Sequence, residues 1–141
     1  MANTVMTSFK KELMEGTHDL ATSGDTFKLA LYTSSSSINS AATTIYTTSD
    51  EVGNSGTYSA GGGTLAGQTV TTDGTTAICN FTDLEFTSAT ITARYALIYN
   101  STETNKALCV LDFSTDQVST AGTFKIDFPA SGASTSIIRV A

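Results

Sequence analysis

The stretch ITARYALIYNSTETNKALCVLDF, residues 91–113, decides the fold class. From Ile91 to Tyr99 the side chains alternate in character along the chain, and apolar residues occupy both faces near the end. Alternation with a period of two is typical of a β-strand, and apolar residues on both faces indicate a central strand of a sheet. The eight-residue connector at 100–107 and the apolar run after it then predict a β-hairpin.

Further strand-like segments lie on both sides of this hairpin. They are FKLALY from residue 27, the segments TLAGQTV and TTAICNF around Asp73-Gly74, and then LEF, FKIDF and SIIRV. Asp-Gly is a strong signal for a two-residue hairpin loop. Seven or eight short strands without helical runs between them predict an all-β fold, either a β-sandwich or a jelly-roll-like barrel. With 141 residues, no internal repeat and no linker, we expect a single domain over residues 1–141.

The N-terminal segment is the helix candidate, and we assign a short α-helix to residues 1–16. Val5, Phe9 and Leu13 recur at four-residue spacing, which places them in one apolar stripe on a helix. Gly16 stands where a helix-terminating glycine is expected. The stripe packs either on the chain's own sheet or on a neighbouring subunit, and the sequence leaves both possibilities open.

Residues 33–63 differ from the rest of the chain because they contain few large apolar residues and include four consecutive serines. A loop of this length is typical of a functional or docking segment. Ordering each backbone residue costs about 1–2 kcal/mol, which this segment is poorly able to offset alone. We therefore predict an extended polar arm that becomes ordered against a neighbouring chain, with five anchors: Ile38, Ile45, Tyr46, Val52 and Tyr58.

The arm ends in the glycine-rich stretch EVGNSGTYSAGGGTL, residues 51–65. A phosphate-binding loop requires a lysine followed by Ser or Thr after its last glycine, and then a helix. Here no lysine is present and strand-forming residues follow. The dinucleotide-binding pattern requires a parallel βαβ unit, which the sequence lacks. We interpret the stretch as a turn that Tyr58 anchors and whose small residues allow a neighbouring chain to approach; a flexible surface loop is the alternative.

Composition and charge exclude several classes of function. The formal net charge is −6, and Lys10 and Lys11 form the one adjacent basic pair, so the sequence lacks the basic surface of a nucleic-acid-binding protein. Ser and Thr together make up roughly 30% of the chain, well above ordinary usage. This composition is typical of an all-β surface protein. No segment approaches the length of a transmembrane helix, and we expect no membrane association.

The residues that carry chemistry do not form a recognisable catalytic pattern. The single histidine, His18, follows the helix and is expected to be a solvated turn residue. The carboxylates are scattered along predicted strands, where solvated charges are far commoner than metal ligands or acid–base pairs. Cys79 and Cys109 lie in apolar runs and are expected to be buried free thiols, with a disulfide between them as the alternative. We expect no enzyme, no catalytic residues, no cofactor and no metal.

Three short motifs resemble a family of small virion proteins of tailed bacteriophages. They are K-L-A-L at residues 28–31, GTYSAGG at 56–62 and Y-x-x-I-Y-N at 95–100, followed by a short hairpin. Together with the N-terminal helix and the final GTFKIDF, the resemblance extends over nearly the whole chain. The Ser- and Thr-rich arm departs from the family pattern.

The resemblance implies a structural protein of the virion that decorates the capsid shell as a cement protein. It implies the major capsid protein as partner and a homo-oligomer, with a trimer as one possibility. A tail or tail-fibre-associated protein with a carbohydrate-binding surface is the alternative. The interface is expected to include the helix stripe and the arm anchors: Val5, Phe9, Leu13, Ile38, Ile45, Tyr46, Val52 and Tyr58.

Overall fold

The computed structural model describes residues 3–141, which form eight β-strands and one short α-helix. Every strand pairing is antiparallel. The prediction of a mostly β fold with one N-terminal helix is confirmed. In chain order, the elements are β1 Thr4–Val5, α1 Thr7–Met14, β2 Phe27–Tyr32, β3 Gly63–Thr64, β4 Thr69–Asp73, β5 Thr76–Asn80, β6 Leu84–Asn100, β7 Lys106–Ile126 and β8 Ile138–Val140.

The strands form two sheets. The larger sheet has five strands in the order β1-β7-β6-β2-β3, and the smaller has three in the order β4-β5-β8. Strand β6 is central to the larger sheet, where Leu97 pairs with Ala30 of β2 and with Val110 of β7. All three of these residues are fully buried. The central position predicted for ITARYALIYN is therefore confirmed.

The β6–β7 hairpin is longer than the sequence predicts. Its connector falls where expected, between Asn100 and Lys106, and turns through Thr104 and Asn105, both at positive φ. The strands, however, incorporate LEF and the first three residues of FKIDF, which look like separate strands in the sequence. Irregular positions at Ser88, Ser114 and Ala121, all at positive φ, interrupt the side-chain alternation without ending the pairing. Such bulges bend a strand while leaving it in the sheet.

The helix covers Thr7–Met14 and is shorter than predicted, since residues 3–6, 15 and 16 are not helical; residues 1–2 of the predicted range lie outside the described residues. Val5 lies in β1, opposite Cys109 of β7, so its assignment to the helix stripe is wrong. Residues 4–5 instead pair with β7 as a short edge strand. Met6 follows them as the N-cap residue of the helix and has extended backbone angles. The predicted end is confirmed: Gly16 has φ +76°, and its N–H and that of Thr17 bond to carbonyls of the last helical turn, at Leu13 and Glu12.

The β4–β5 hairpin forms at the predicted Asp-Gly signal. Asp73 pairs with Thr76, so the two-residue loop consists of Gly74 and Thr75, with Gly74 at φ +61°. Glycine at this first loop position is what a type II′ turn requires. Buried side chains from both sheets and the helix form one hydrophobic cluster, which includes Phe9, Leu29, Cys79, Leu97, Val110 and Ile138.

Residues 33–63 are not an extended arm in this structure. The segment folds back on its own domain: the N–H of Val52 bonds to Leu31 O at 3.0 Å, and that of Tyr46 bonds to Asn105 O at 2.9 Å. The prediction of an unfolded polar arm is therefore corrected, because backbone and side-chain hydrogen bonds supply the contacts that apolar content alone does not. Within residues 3–141, no helix is long and apolar enough to span a membrane.

Candidate functional site

The predicted interface residues fall into three groups in the structure: buried, partly buried and exposed. Three arm anchors, Ile38, Val52 and Tyr58, are at most 7% exposed and belong to the chain's own core, as does Phe9 at 2%. Their side chains therefore pack inside the chain's own domain and are not exposed for contact with a neighbouring chain. Two other predicted residues, Leu13 and Tyr46, are partly buried against this core.

Val5 and Ile45 are the predicted interface residues that remain exposed, at 37% and 51%. Both lie along the same edge of β7: Val5 pairs with Cys109, and Ile45 forms an isolated bridge with Lys106. Two exposed apolar residues that are 40 positions apart in the sequence thus lie along one edge of the same strand. Contact of either residue with another chain stays a prediction.

A polar cluster around Glu51 holds residues 33–63 on the larger sheet. One carboxylate oxygen of Glu51 accepts hydrogen bonds from the Tyr58 hydroxyl and from the Gly61 N–H, both at 2.7 Å. The other oxygen accepts from the Tyr46 hydroxyl at 2.6 Å. The Tyr99 hydroxyl donates to the Gly61 carbonyl at 2.6 Å, and its ring stacks on Tyr46 with centroids 4.8 Å apart. The glycine-rich stretch is therefore fixed by one carboxylate and three phenols.

Two glycines of this stretch allow the chain's own backbone to approach closely. A Cβ on Gly62 would lie 1.7 Å from the Leu29 carbonyl oxygen, and one on Gly56 would lie 2.2 Å from that of Thr87. Real Cβ atoms are never so close to an oxygen, and both glycines have positive φ. The prediction that these small residues admit a neighbouring chain is corrected: they admit β2 and β6 of the same chain.

The environment of this cluster favours neutral tyrosines. Burial, followed by the nearby Glu51 charge, raises the pKa of Tyr99 to about 12. Burial is also the largest cause that raises the pKa values of Tyr32, Tyr46 and Tyr58 well above the usual value. The phenols therefore act as hydrogen-bond donors over the whole physiological range.

His18 is buried, which corrects the prediction of a solvated turn residue. Its side chain is fully inaccessible, its Nε2 lies 3.2 Å from Glu12 Oε1, and its Nδ1 lies 3.0 Å from Asn100 Nδ2. The Asn100 amide nitrogen also donates to Asp25 at 2.8 Å, and its oxygen accepts from the N–H of Thr102 at 3.0 Å. Since an amide nitrogen only donates, Nδ1 accepts and the proton of the neutral ring is on Nε2. The group connects the helix to the β6–β7 turn.

The carboxylates that the sequence leaves scattered are engaged in local contacts. Asp112, with 2% of its side chain exposed, lies 3.0 Å from the Arg94 guanidinium across the hairpin. Burial raises its pKa, but the Ser114 N–H and the Arg94 charge outweigh burial and hold the pKa below the usual value. Asp83 and Asp127 share Lys125 at 3.5 and 2.9 Å. Among residues 3–141, no three His, Cys, Asp or Glu side chains cluster in a way that could hold a metal ion.

Both cysteines are free and buried in the structure, Cys79 in the smaller sheet and Cys109 in the larger one. Burial raises the pKa of Cys79 to about 11 and that of Cys109 to about 12. Thiols of this kind are protonated at neutral pH and react slowly, since the thiolate is the nucleophile.

Two concave surfaces lie outside the Glu51 and His18 clusters. A groove of about 690 Å³ runs beside β7 and the C-terminal segment, and its lining includes Val5, Phe113, Val118, Phe124, Lys125 and Phe128. A smaller groove of about 260 Å³ lies between the helix end and the smaller sheet, and is lined by apolar residues that include Leu13, Leu20, Val70, Ala77, Ile138 and Val140. Val70 and Val140 are 51% and 52% exposed.

The sequence did not indicate Glu51 or the His18–Asn100 contact. Glu51 lies five positions from Tyr46 and seven from Tyr58, and this spacing of a carboxylate between two tyrosines was the available signal. The partners His18 and Asn100 are 82 positions apart, so no local pattern joins them. Comparisons of the chain with protein-family models, curated proteins and solved structures found no match.

Proposed function

We propose that this protein is a non-enzymatic structural protein of a tailed-phage virion that binds the capsid shell and reinforces it. The observation that carries the proposal is the convergence of the three motifs on which the resemblance rests. The motif at 28–31 lies on β2, which pairs with the motif at 95–100 on β6. The glycine motif at 56–62 packs on both through the Tyr58–Leu31 and Tyr99–Gly61 hydrogen bonds.

This convergence supports the resemblance because short strings that match by chance have no reason to meet in space. Here the three motifs form one structural unit: the paired strands and the loop that they hold. A shared unit of this kind is what members of one family retain. The likeness concerns a fold, however, and fold alone does not determine function, so the virion assignment requires its own test.

The two sheets pack face to face as a β-sandwich in this proposal. In support, the cluster of buried side chains includes Cys79 and Ile138 of the smaller sheet together with Leu97 and Val110 of the larger. The long connection between β2 and β3 is hydrogen-bonded to the domain, as at Val52–Leu31 and Tyr46–Asn105. A module held together in this way is rigid, and a rigid module loses little entropy when it binds.

The contact with the major capsid protein is proposed along the β7 edge that carries Val5 and Ile45. These exposed apolar side chains lie beside polar threonines of the same edge, among them Thr4 and Thr44. Each such contact is weak, and a homo-oligomer that presents several copies would multiply them into avidity. The net charge of −6 gives no reason to expect nucleic acid as a partner.

The proposal is tested by locating the chain in intact particles. Cryo-electron microscopy of the virion, with copy number from quantitative mass spectrometry, is expected to show hundreds of copies on the outer shell. A handful of copies at the tail would replace the proposal with the tail-associated alternative. Absence of the chain from the particle would contradict both the shell proposal and the tail-associated alternative.

A binding experiment tests the proposed surface. Ile45→Lys and Val5→Lys are expected to weaken binding to shells stripped of the protein by at least roughly tenfold, which corresponds to about 1.4 kcal/mol. Met14→Lys is the control, because Met14 is 90% exposed at the end of α1 and does not line the groove that contains Val5. Equal binding by all three variants would place the contact elsewhere.

A further inference from the structure

Strand β4 is an uncovered edge of the smaller sheet. All five of its residues, Thr69–Asp73, are exposed, and its one strand partner is β5. Within residues 3–141, no backbone hydrogen bond reaches its outer side. Because the pair Asp73–Thr76 closes a two-residue loop, the backbone groups of Val70 and Thr72 are the ones that point outward.

The other long edge is protected in ways that β4 is not. Strand β7 is covered at its start by β1, carries Lys125 and contains bulges at Ser114 and Ala121. Lysines, bulges and covering strands are the devices by which proteins prevent edge-to-edge pairing. Strand β4 has regular register and contains neither lysine nor proline. The sheet that lacks protection is therefore the smaller one.

Charge and apolar surface on this sheet fit a second copy of the same chain. The protein carries a net charge of −6, so most of its surface repels another copy, but residues 69–72 carry no charge. Asp73, at the strand end, is engaged by the Ala133 N–H at 2.7 Å. Val70 lines the apolar groove of about 260 Å³ on one face of the smaller sheet, and the exposed side chain of Val140 lines the same groove.

We propose that two copies associate through antiparallel pairing of β4 with β4 about a two-fold axis at Thr71. Val70 of each copy then lies opposite Thr72 of the other, and each of these two pairs exchanges two N–H···O=C bonds. The three-stranded sheets join into one six-stranded sheet. The side chains of Val70 and Thr72 share the groove face, so the apolar grooves of both copies become one continuous surface.

An isologous contact of this kind closes on itself and gives a dimer. It differs from the trimer that the resemblance gives as one possibility, and it does not depend on the proposed place of the protein in a virion. Self-association is measured on the purified chain alone, whereas the shell contact is measured on particles, so failure of one proposal is distinguishable from failure of the other.

Sedimentation equilibrium of the purified protein tests the dimer. The wild-type chain is expected to reach twice its 14.7 kDa mass, and Val70→Lys to weaken association by at least roughly tenfold, because a charge would enter the joined apolar surface. Val118→Lys makes the same substitution at an exposed valine of the other sheet and is expected to dimerise normally. A monomeric wild type, or dimers of Val70→Lys with unchanged affinity, overturns the proposal.

A covalent probe tests the register independently of Val70. In the proposed ladder the two Thr71 residues form a non-hydrogen-bonded pair with Cα atoms about 4.5 Å apart, a separation that a disulfide spans. Thr71→Cys is expected to form an interchain disulfide under mild oxidation, and Thr123→Cys on β7 is expected to stay monomeric under the same conditions. Equal cross-linking of both variants, or of neither, contradicts the register.

Discussion

The Tyr58 hydroxyl lies 2.7 Å from the Glu51 carboxylate and 2.9 Å from the Leu31 N–H. It donates to the carboxylate and accepts from the backbone of β2, so one oxygen atom joins residues 33–63 to the larger sheet. The ring of Tyr58 is fully buried and meets Phe86 edge-on, with centroids 4.8 Å apart. A polar and an apolar contact thus act at the same residue.

Tyr58→Phe tests the polar part of this contact alone. Removal of the hydroxyl leaves the Leu31 N–H unpaired and deprives Glu51 of a donor, so we expect a loss of about 2–3 kcal/mol in the free energy of unfolding. Tyr95→Phe is the matched control, because no described residue hydrogen-bonds the Tyr95 hydroxyl. Urea titration measures both variants, and equal stability of the two would show that the Glu51 cluster contributes nothing.

The same cluster predicts loss of stability at high pH. The pKa of Tyr99 is raised to about 12, above the value of about 10 for an unfolded tyrosine. A group with a raised folded pKa contributes its full stability below the unfolded pKa and loses it as the pH rises through the folded pKa. The urea midpoint is therefore expected to fall between pH of about 10 and 12.

Tyr99→Phe provides the comparison for this alkaline transition. The variant lacks one titrating phenol, so its urea midpoint is expected to fall less steeply over the same pH range, and tyrosinate absorbance in the wild type is expected to increase together with unfolding. An equally steep fall of the urea midpoint in wild type and in Tyr99→Phe would contradict the assignment.

Local patterns predicted the elements whose determinants are close in sequence. Alternation from Ile91 to Tyr99 predicted the central strand, Asp73-Gly74 predicted a hairpin, and Gly16 predicted the helix end. The long β6–β7 strands were missed because positive φ at Ser88 and Ala121 shifts the register and hides the period of two.

The site was less predictable than the fold, for a physical reason. Apolar content indicated too little stabilisation for residues 33–63, but a large share comes from hydrogen bonds that converge on Glu51. The value of that carboxylate depends on how the segment folds back to place the Tyr46 and Tyr58 hydroxyls and the Gly61 N–H around it. Similarly, His18 is buried by residues distant in sequence, so its environment follows from the fold and from no local motif.

Gly62 offers a test of the close approach between the glycine stretch and β2. Alanine would place its Cβ 1.7 Å from the Leu29 carbonyl oxygen, at a backbone φ of +79° that alanine rarely adopts. We expect Gly62→Ala to cost at least about 3 kcal/mol, from overpacking and backbone strain together. The measurement is the urea midpoint of the purified variant.

Gly53→Ala is the control for this substitution. A Cβ at Gly53 meets nothing within 4 Å, so the change is expected to be neutral or to stabilise by up to about 1 kcal/mol, because alanine restricts the unfolded chain. Similar losses in both variants would mean that the stretch tolerates alanine poorly for a reason other than contact with Leu29.

Hydrogen exchange distinguishes a folded segment 33–63 from a mobile arm. The N–H groups of Thr33, Tyr46 and Val52 bond to Asp50, Asn105 and Leu31 at 2.9–3.0 Å, so in the free protein they are expected to exchange slowly, with protection near that of β2. Ser34 and Ser35 lie in the same segment, and no described residue accepts their N–H groups, so they serve as rapidly exchanging internal references. Uniformly fast exchange across the segment would contradict the folded arrangement. Slow exchange that arises only in assembled particles would instead support docking of the segment on a neighbouring chain, because ordering would then depend on the contacts that assembly provides.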